Sequence, residues 1–165
     1  MELALFCFFA FIAIVTSVGV IWARNPLHSA LSLIAAFFAL SAIYVLLEAH
    51  LLAAIQVLVY AGAVMVLFIF VIMLLNLKDE ELGTAKPTAM KIAGGIAVGL
   101  GGAAISFFVL RSPGTVLKLE HTEGFGTVEA VGRVMYGTYV LPFEVTSLLL
   151  LVAIVAAVVI AKAKI

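Results

Sequence analysis

The chain has 165 residues, of which 66% are apolar and 11% carry a formal charge, less than half of the roughly 25% found in soluble domains. A mean hydropathy of +1.34 excludes a soluble monomer, because so few polar residues cannot cover the apolar surface of the folded chain. Nine Lys and Arg balance nine Asp and Glu, so the formal net charge is zero. The charge therefore gives no indication of a nucleic-acid partner. We therefore expect membrane lipid to surround most of the chain.

The chain contains five apolar stretches that are long enough to cross the roughly 30 Å hydrocarbon core of a bilayer as helices. They are residues 3–23, 28–47, 51–77, 90–110 and 138–161. In lipid a helix satisfies its own backbone hydrogen bonds, and these stretches lack the alternating pattern of barrel strands. The sequence therefore predicts an all-α integral membrane protein with five transmembrane helices that form a single membrane domain, residues 1–165.

The first two stretches are joined by a short polar segment. The first stretch follows Glu2 instead of a basic region and lacks a small-residue cleavage site before Arg24, so we expect a retained helix and not a signal peptide. Asn25 and Pro26 come next, and these residues favour the N-cap and the first turn of a helix. The second helix is therefore predicted to begin at this point, after a tight turn.

The positive charges between the stretches predict the orientation in the membrane. With five helices, one side carries Arg24, Lys78, Lys86, Lys91, Lys162 and Lys164, and the other carries Arg111, Lys118 and Arg133. The more basic side is expected in the cytoplasm, which places the N-terminus outside and the C-terminus in the cytoplasm. The polar segments 78–91 and 111–133 are predicted to be loops, the second with a short amphipathic helix around Val128 to Tyr136.

The third stretch, residues 51–77, is longer than a straight crossing requires, so we expect it to tilt, kink or be locally rewound. Tyr60 lies near its middle and is followed by Ala61, Gly62 and Ala63, which leave one face of the helix nearly bare. Two interpretations fit this pattern. Either Tyr60 bonds a carbonyl of a neighbouring helix above a packing face of small residues, or these residues mark a rewound, π-type segment of the kind found at functional sites.

Glu144 is the only carboxylate in the last stretch, and an acid at membrane depth is a candidate for a functional role. It lies near the predicted start of the fifth helix, where the helix dipole also favours a carboxylate, so a proton relay and an anchoring or capping role both fit. In the fourth stretch, Gly95, Gly99 and Ala103 are four residues apart and predict a seam for close helix packing.

The sequence contains no pattern typical of an independent enzyme. Cys7 has no second cysteine to pair with, and the three histidines are scattered along the chain at His28, His50 and His121. No nucleophile with an adjacent base, no P-loop and no basic patch is present. We therefore expect no redox centre, cofactor or metal in this chain, and a function that depends on assembly with other proteins.

The middle of the chain resembles a known family. The string VYAGAVMVLFIFVIMLL at residues 59–75 is similar to the third-helix signature of the NuoJ family, the J-type membrane subunits of respiratory complex I, a proton-pumping NADH-quinone oxidoreductase. Two shorter strings support the resemblance, RNPLHSAL at residues 24–31 and YVLPFE at residues 139–144. The fourth stretch and the loop after it match in hydropathy alone.

The resemblance implies a subunit of the bacterial plasma (inner) membrane, without a redox centre, that packs against the A-, H- and K-type subunits and contacts the N-type subunit. Other subunits would hold NADH, FMN, the iron–sulfur clusters and the quinone. The resemblance also implies that a π-bulge forms and relaxes beside Tyr60, and that this switching opens a water wire from the quinone cavity to an antiporter-like subunit. The residues of this proton path would be Tyr60, Ala61, Gly62, Ala63, Met65 and Glu144.

Two functions from other classes also fit the residues. The chain would be either a subunit of a secondary transporter or a purely structural scaffold for neighbouring helices. Copurification with NADH dehydrogenase subunits would indicate complex I and exclude the secondary transporter. Variants at Tyr60 and Gly62 that assemble but lose coupling would separate the second.

Overall fold

The computed structural model describes residues 1–75, 89–111 and 124–162 of the chain. We number its helices in chain order as α1 (Glu2–Trp22), α2 (Pro26–Leu46), α3 (His50–Leu75), α4 (Ala89–Arg111), α5 (Val128–Tyr136) and α6 (Val140–Ala161). Every regular element within the described ranges is helical, which confirms the predicted all-α class. Most of the predicted polar loop after α3 and the first part of the loop after α4 lie outside the described residues.

Four of these helices, α1, α2, α3 and α6, are long and apolar enough to cross a membrane. This confirms a multi-pass membrane protein. The fourth predicted crossing corresponds to α4, which has 23 residues and whose described apolar stretch, Gly94–Phe108, is shorter than the other four. The described residues therefore give four candidate spans, one fewer than the sequence predicts.

α1 and α2 form a tightly packed helical hairpin. The turn between them ends at Asn25, whose side chain accepts a hydrogen bond of 2.9 Å from the Leu27 N–H, and Pro26 is the first residue of α2. The predicted start of this helix is thereby confirmed. Close to the turn, Ser29 Oγ donates to the Val20 carbonyl at 2.7 Å, so a side-chain hydrogen bond joins the two helices.

The buried core of the described residues lies mainly between α2 and α3 and is built from small side chains. Its apolar members are Ala30, Ala36, Ala39, Ala53, Ala61 and Met65. Small residues let helix backbones approach closely, and this close packing holds helices together in lipid, where burial of apolar area gives little driving force. The described residues of α1, α4 and α6 include none that is buried, so their outer faces are left for lipid or other chains.

The turn between α2 and α3 contacts a segment far along the chain. The Leu51 N–H donates to the Gly126 carbonyl at 3.0 Å, and Glu48 in the turn has a positive φ of 59°. Gly126 itself has a φ of +71°, and a Cβ at this position would overlap the Glu48 carbonyl oxygen. The first turn of α3 and the segment just before α5 therefore lie at the same end of the helices.

α5 has the bounds that the sequence predicts for a short helix in this loop. Thr127 caps its start, because its hydroxyl oxygen accepts a hydrogen bond of 3.3 Å from the Ala130 N–H. At its other end, the ring of Tyr136 packs edge to face against the ring of Phe143, with centroids 4.9 Å apart. This aromatic contact joins α5 to the first turns of α6.

Candidate functional site

α3 changes its winding in the middle. Its 26 residues would span about 39 Å at 1.5 Å per residue, more than the roughly 30 Å hydrocarbon core. The helix is α-helical over His50–Ile55, π-helical over Gln56–Val64 and α-helical again over Met65–Leu75. At the end of the π-helix, the Met65 N–H donates to the carbonyl of Tyr60, five residues earlier. The rewound segment has nine residues, more than the single turn of a usual π-bulge.

The π-helix decides which side chains of α3 face α2. The spacing along the chain is three, five and four residues for the buried members of this face, Ala53, Gln56, Ala61 and Met65. A regular α-helix repeats every 3.6 residues, and continued from Ala53 it would place Tyr60 and Val64 on this face instead. Tyr60 is 48% exposed and Val64 50% exposed, whereas Met65 is 3% exposed. The π winding therefore buries Met65 against α2 and leaves Tyr60 at the half-exposed edge of this face.

Gly62 permits a close approach of successive turns within the π-helix. A Cβ at this position would lie 3.2 Å from the Val57 carbonyl oxygen, five residues earlier, so a side chain here would require the backbone to shift. The absence of a side chain at Gly62 therefore accommodates the close approach that the π winding brings.

The ring of Tyr60 contacts α2, whereas its hydroxyl has no hydrogen-bond partner in the described part of the chain. It is the eleventh residue of α3, roughly 15 Å along the helix axis and near the middle of a ~30 Å hydrocarbon core. Its ring packs edge to face against Phe37 of α2, with centroids 5.8 Å apart. The interhelical Tyr60 hydrogen bond considered from the sequence is not formed within these residues.

Two residues of α2 that sequence reasoning missed contact α3 near this segment. Ser41 is buried, and its Oγ donates to the Ala53 carbonyl at 2.9 Å. Phe37 supplies the ring against Tyr60. For Ser41 the sequence did contain a signal, because a polar side chain in a membrane helix commonly bonds a neighbouring helix. For Phe37 it contained none, since aromatic residues are frequent throughout the apolar stretches.

Glu144 lies on a different helix from the other predicted proton-path residues. It is the fifth residue of α6, past the first turn in which the helix dipole most favours a carboxylate. The residue is exposed and forms no ion pair with the described residues, while its backbone carbonyl accepts a hydrogen bond of 2.7 Å from Ser147 Oγ. The structure thus groups on α3 the remaining five, Tyr60, Ala61, Gly62, Ala63 and Met65.

The predicted packing seam lies on α4. Gly95, Gly99 and Ala103 follow one side of this helix, because residues four apart are neighbours on a helix surface. All three are exposed, and a Cβ at Gly95 or Gly99 would meet no heavy atom within 4 Å. No other helix of the described residues therefore occupies this seam.

The similarity of the chain to known proteins covers nearly its whole length. The family model described as NADH-ubiquinone/plastoquinone oxidoreductase chain 6 matches residues 16–160. Chain 6 of the NAD(P)H-quinone oxidoreductase of Synechocystis sp. is 38% identical, over 95% of this chain and 79% of the relative. Subunit 10 of the NADH-quinone oxidoreductase of Thermus thermophilus is 36% identical over 90% and 82%. Subunit J of the Escherichia coli enzyme is 36% identical over 88% and 79%.

These matches cover the features that give the site its geometry. Residues 16–160 include the end of α1, all of α2, the π-helix of α3 and most of α6. The resemblance first drawn from residues 59–75 is thereby confirmed. The chain belongs to the family of NADH-ubiquinone/plastoquinone oxidoreductase chain 6, which includes the J-type subunits of the NADH-quinone oxidoreductases.

Proposed function

We propose that the chain is a membrane-arm subunit of a proton-pumping NADH-quinone oxidoreductase, and that α3 helps to couple quinone reduction to proton translocation. The observation that carries the proposal is the π-helix over Gln56–Val64, at membrane depth, in a chain whose family belongs to quinone oxidoreductases. π-Helices are rare and occur frequently at functional sites. A segment with two windings would supply the two-state element that coupling between distant sites requires.

In this proposal, a change from π to α winding moves Tyr60 between two surroundings. The π-helix holds one more residue between its ends than an α-helix of the same rotation would. When it becomes α-helical, the part of α3 after it therefore rotates by about 100° relative to the part before it. With the first turns held, Tyr60 and Val64 move to the face against α2, and the Tyr60 hydroxyl enters or leaves a chain of waters that carries protons. The residues whose small side chains let the segment turn without collision are Ala61, Gly62 and Ala63.

The chain performs this role without a redox centre of its own. NADH, FMN, the iron–sulfur clusters and the quinone belong to other subunits of the complex, and the neighbours are its A-, H-, K- and N-type subunits. Glu144 on α6 serves as a further proton-path residue. Large apolar side chains exposed on α1, α4 and α6 supply the surface for these neighbours and for the lipid of the bacterial plasma membrane.

The contact between Leu51 and Gly126 supports a fifth crossing. Leu51 lies at the start of α3, and α3 is long enough to reach the opposite membrane surface by Leu75. The chain must then cross back before Gly126, and α4 lies between them with 23 residues, or about 34 Å of helix. We therefore infer that α4 is the fifth span. The excess of basic residues on one side supports an external N-terminus and a cytoplasmic C-terminus.

A bulky residue at Gly62 tests the proposal. Gly62→Leu places a side chain close to the Val57 carbonyl and hinders the change of winding, so we expect the assembled complex to lose most of its proton translocation. Gly101→Leu is the matched control, because a Cβ at Gly101 meets no heavy atom within 4 Å. Quinone reduction and proton translocation are measured in membrane vesicles per assembled complex. Full coupled activity of the assembled Gly62→Leu complex would contradict the proposal and favour a structural scaffold.

A further inference from the structure

The buried hydroxyl of Ser41 binds α3 three residues before the π-helix begins. Its Oγ donates to the Ala53 carbonyl at 2.9 Å, and Ser41 is 7% exposed. A carbonyl oxygen has two lone pairs, so Ala53 can accept this bond together with a backbone bond within the helix. The bond therefore attaches the first turns of α3 to α2.

A second contact holds the same end of α3. The Leu51 N–H is one of the donors that the start of a helix leaves without an internal partner, and the Gly126 carbonyl accepts from it at 3.0 Å. The part after the π-helix, Met65–Leu75, consists of apolar side chains and makes no side-chain hydrogen bond to the described residues. Within the described residues, α3 thus has a hydrogen-bonded end before the π-helix and an end after it that relies on apolar contacts.

We propose that Ser41 is a positioning residue for the coupling step, an inference that rests on the proposed function. Its hydroxyl holds Ala53 in place, so that a change of winding rotates Met65–Leu75 and carries Tyr60 toward α2. Without this bond only the Leu51 contact with Gly126 holds the first turns of α3 by a hydrogen bond, so these turns share the rotation and Tyr60 moves less far toward α2. Quinone reduction then continues while fewer protons are moved for each NADH oxidised.

The chain offers a matched pair of serines for the test. Ser29 Oγ donates to the Val20 carbonyl at 2.7 Å and joins α2 to α1, so Ser29→Ala removes the same kind of interhelical bond away from the π-helix. Ser41→Ala removes the bond to Ala53, and Ser41→Thr keeps a hydroxyl at that position. All three variants are studied in the assembled complex in membrane vesicles, with the amount of complex measured first. The readouts are the rate of quinone reduction and the number of protons moved per NADH.

We expect Ser41→Ala to keep its rate of quinone reduction and to move about threefold fewer protons per NADH, the effect of losing one interhelical hydrogen bond of average strength in a membrane protein. Ser41→Thr and Ser29→Ala should keep the normal ratio. A loss of packing alone would lower the amount of complex or the rate of quinone reduction and leave the ratio unchanged. The rescue by threonine assigns the effect to the hydroxyl.

Two results would overturn the role of Ser41. One is a Ser41→Ala complex with the same proton ratio as Ser29→Ala, and the other is a Ser41→Thr complex that loses as much as Ser41→Ala. Gly62→Leu, measured in parallel, separates this inference from the proposed function. If Gly62→Leu loses coupling while Ser41→Ala does not, only the role of Ser41 falls. If Gly62→Leu is fully coupled, the switching of α3 falls as well.

Discussion

The ring of Phe37 packs edge to face against the ring of Tyr60, with centroids 5.8 Å apart and 69° between the ring planes. Such a pair contributes about 0.5–1.5 kcal/mol beyond the burial of its area. The contact uses the tyrosine ring and not the hydroxyl, so phenylalanine at this position preserves it. Replacement of Tyr60 by phenylalanine therefore tests the hydroxyl separately from the packing between α2 and α3.

We expect Tyr60→Phe to assemble normally and to translocate protons about tenfold more slowly, because one lost hydrogen bond in the proton path is worth about 1.4 kcal/mol. Tyr44→Phe, which removes a tyrosine hydroxyl near the end of α2, is the control and should pump normally. Proton translocation is measured in vesicles that contain equal amounts of complex. Unchanged pumping by Tyr60→Phe would remove the hydroxyl from the mechanism and leave the residue a packing role.

The contact between the α2–α3 turn and the segment before α5 predicts a difference between two glycines. Gly124 and Gly126 both have positive φ, so alanine costs about 1–2 kcal/mol at either position. A Cβ at Gly126 would also overlap the Glu48 carbonyl, whereas a Cβ at Gly124 would lie 3.6 Å from Thr127 Oγ1. We therefore expect at least about fivefold less assembled complex for Gly126→Ala than for Gly124→Ala. Equal amounts on native gels would show that this contact is dispensable.

The small-residue seam on α4 predicts that a bulky substitution weakens assembly with a partner helix only when it lies on the seam. Gly99 lies on the face of Gly95 and Ala103, whereas Gly101, two residues on, lies about 200° around the helix. We expect Gly99→Leu to weaken assembly by about 1.4 kcal/mol, or roughly tenfold, because a partner helix can no longer approach closely. Gly101→Leu should assemble normally. Copurification of partner subunits with each variant measures this, and equal yields would place the partner elsewhere.

Replacement of Glu144 should reduce proton translocation, whereas replacement of a carboxylate outside the membrane spans should not. Glu144→Gln keeps the size of the side chain and removes its ability to carry a proton, so we expect proton translocation to fall by about tenfold. Glu129→Gln is the control, because Glu129 is exposed on α5 and paired with Arg133 at 2.7 Å. If Glu144→Gln turns over and pumps normally, the anchoring interpretation of this residue is correct.

The parts of the fold that depend on local chemistry were predictable from the sequence. Asn25 and Pro26 specify the start of α2 through capping and a fixed φ, and both act within one turn. The apolar stretches predicted the four helices that are long and apolar enough to cross a membrane, since length and hydropathy decide whether a segment enters lipid. The fifth predicted span, at α4, is shorter than these within the described residues. The family followed from residues 59–75 because that string lies in the distinctive third helix.

The parts that depend on contacts between distant residues were not predictable. The length of the third stretch predicted an irregular helix, but it specified neither the nine-residue length of the π-helix nor the burial of Ala61 and Met65. The hydrogen bond from Ser41 to Ala53 and the contact of Gly126 with the α2–α3 turn join separate segments. A polar residue in a membrane helix, such as Ser41, indicates that an interhelical bond forms, but no periodicity or local motif encodes which partner it meets.

The most direct measurement of the central claim is the structure of the assembled complex, imaged at rest and during turnover, at a resolution that shows the side chains of α3. If the segment switches, one state has Ala61 and Met65 against α2, and another has Tyr60 and Val64 in their place with a regular α-helix through the segment. If the π-helix over Gln56–Val64 and its buried residues are the same in every state, α3 does not switch, and coupling must depend on other elements of the complex.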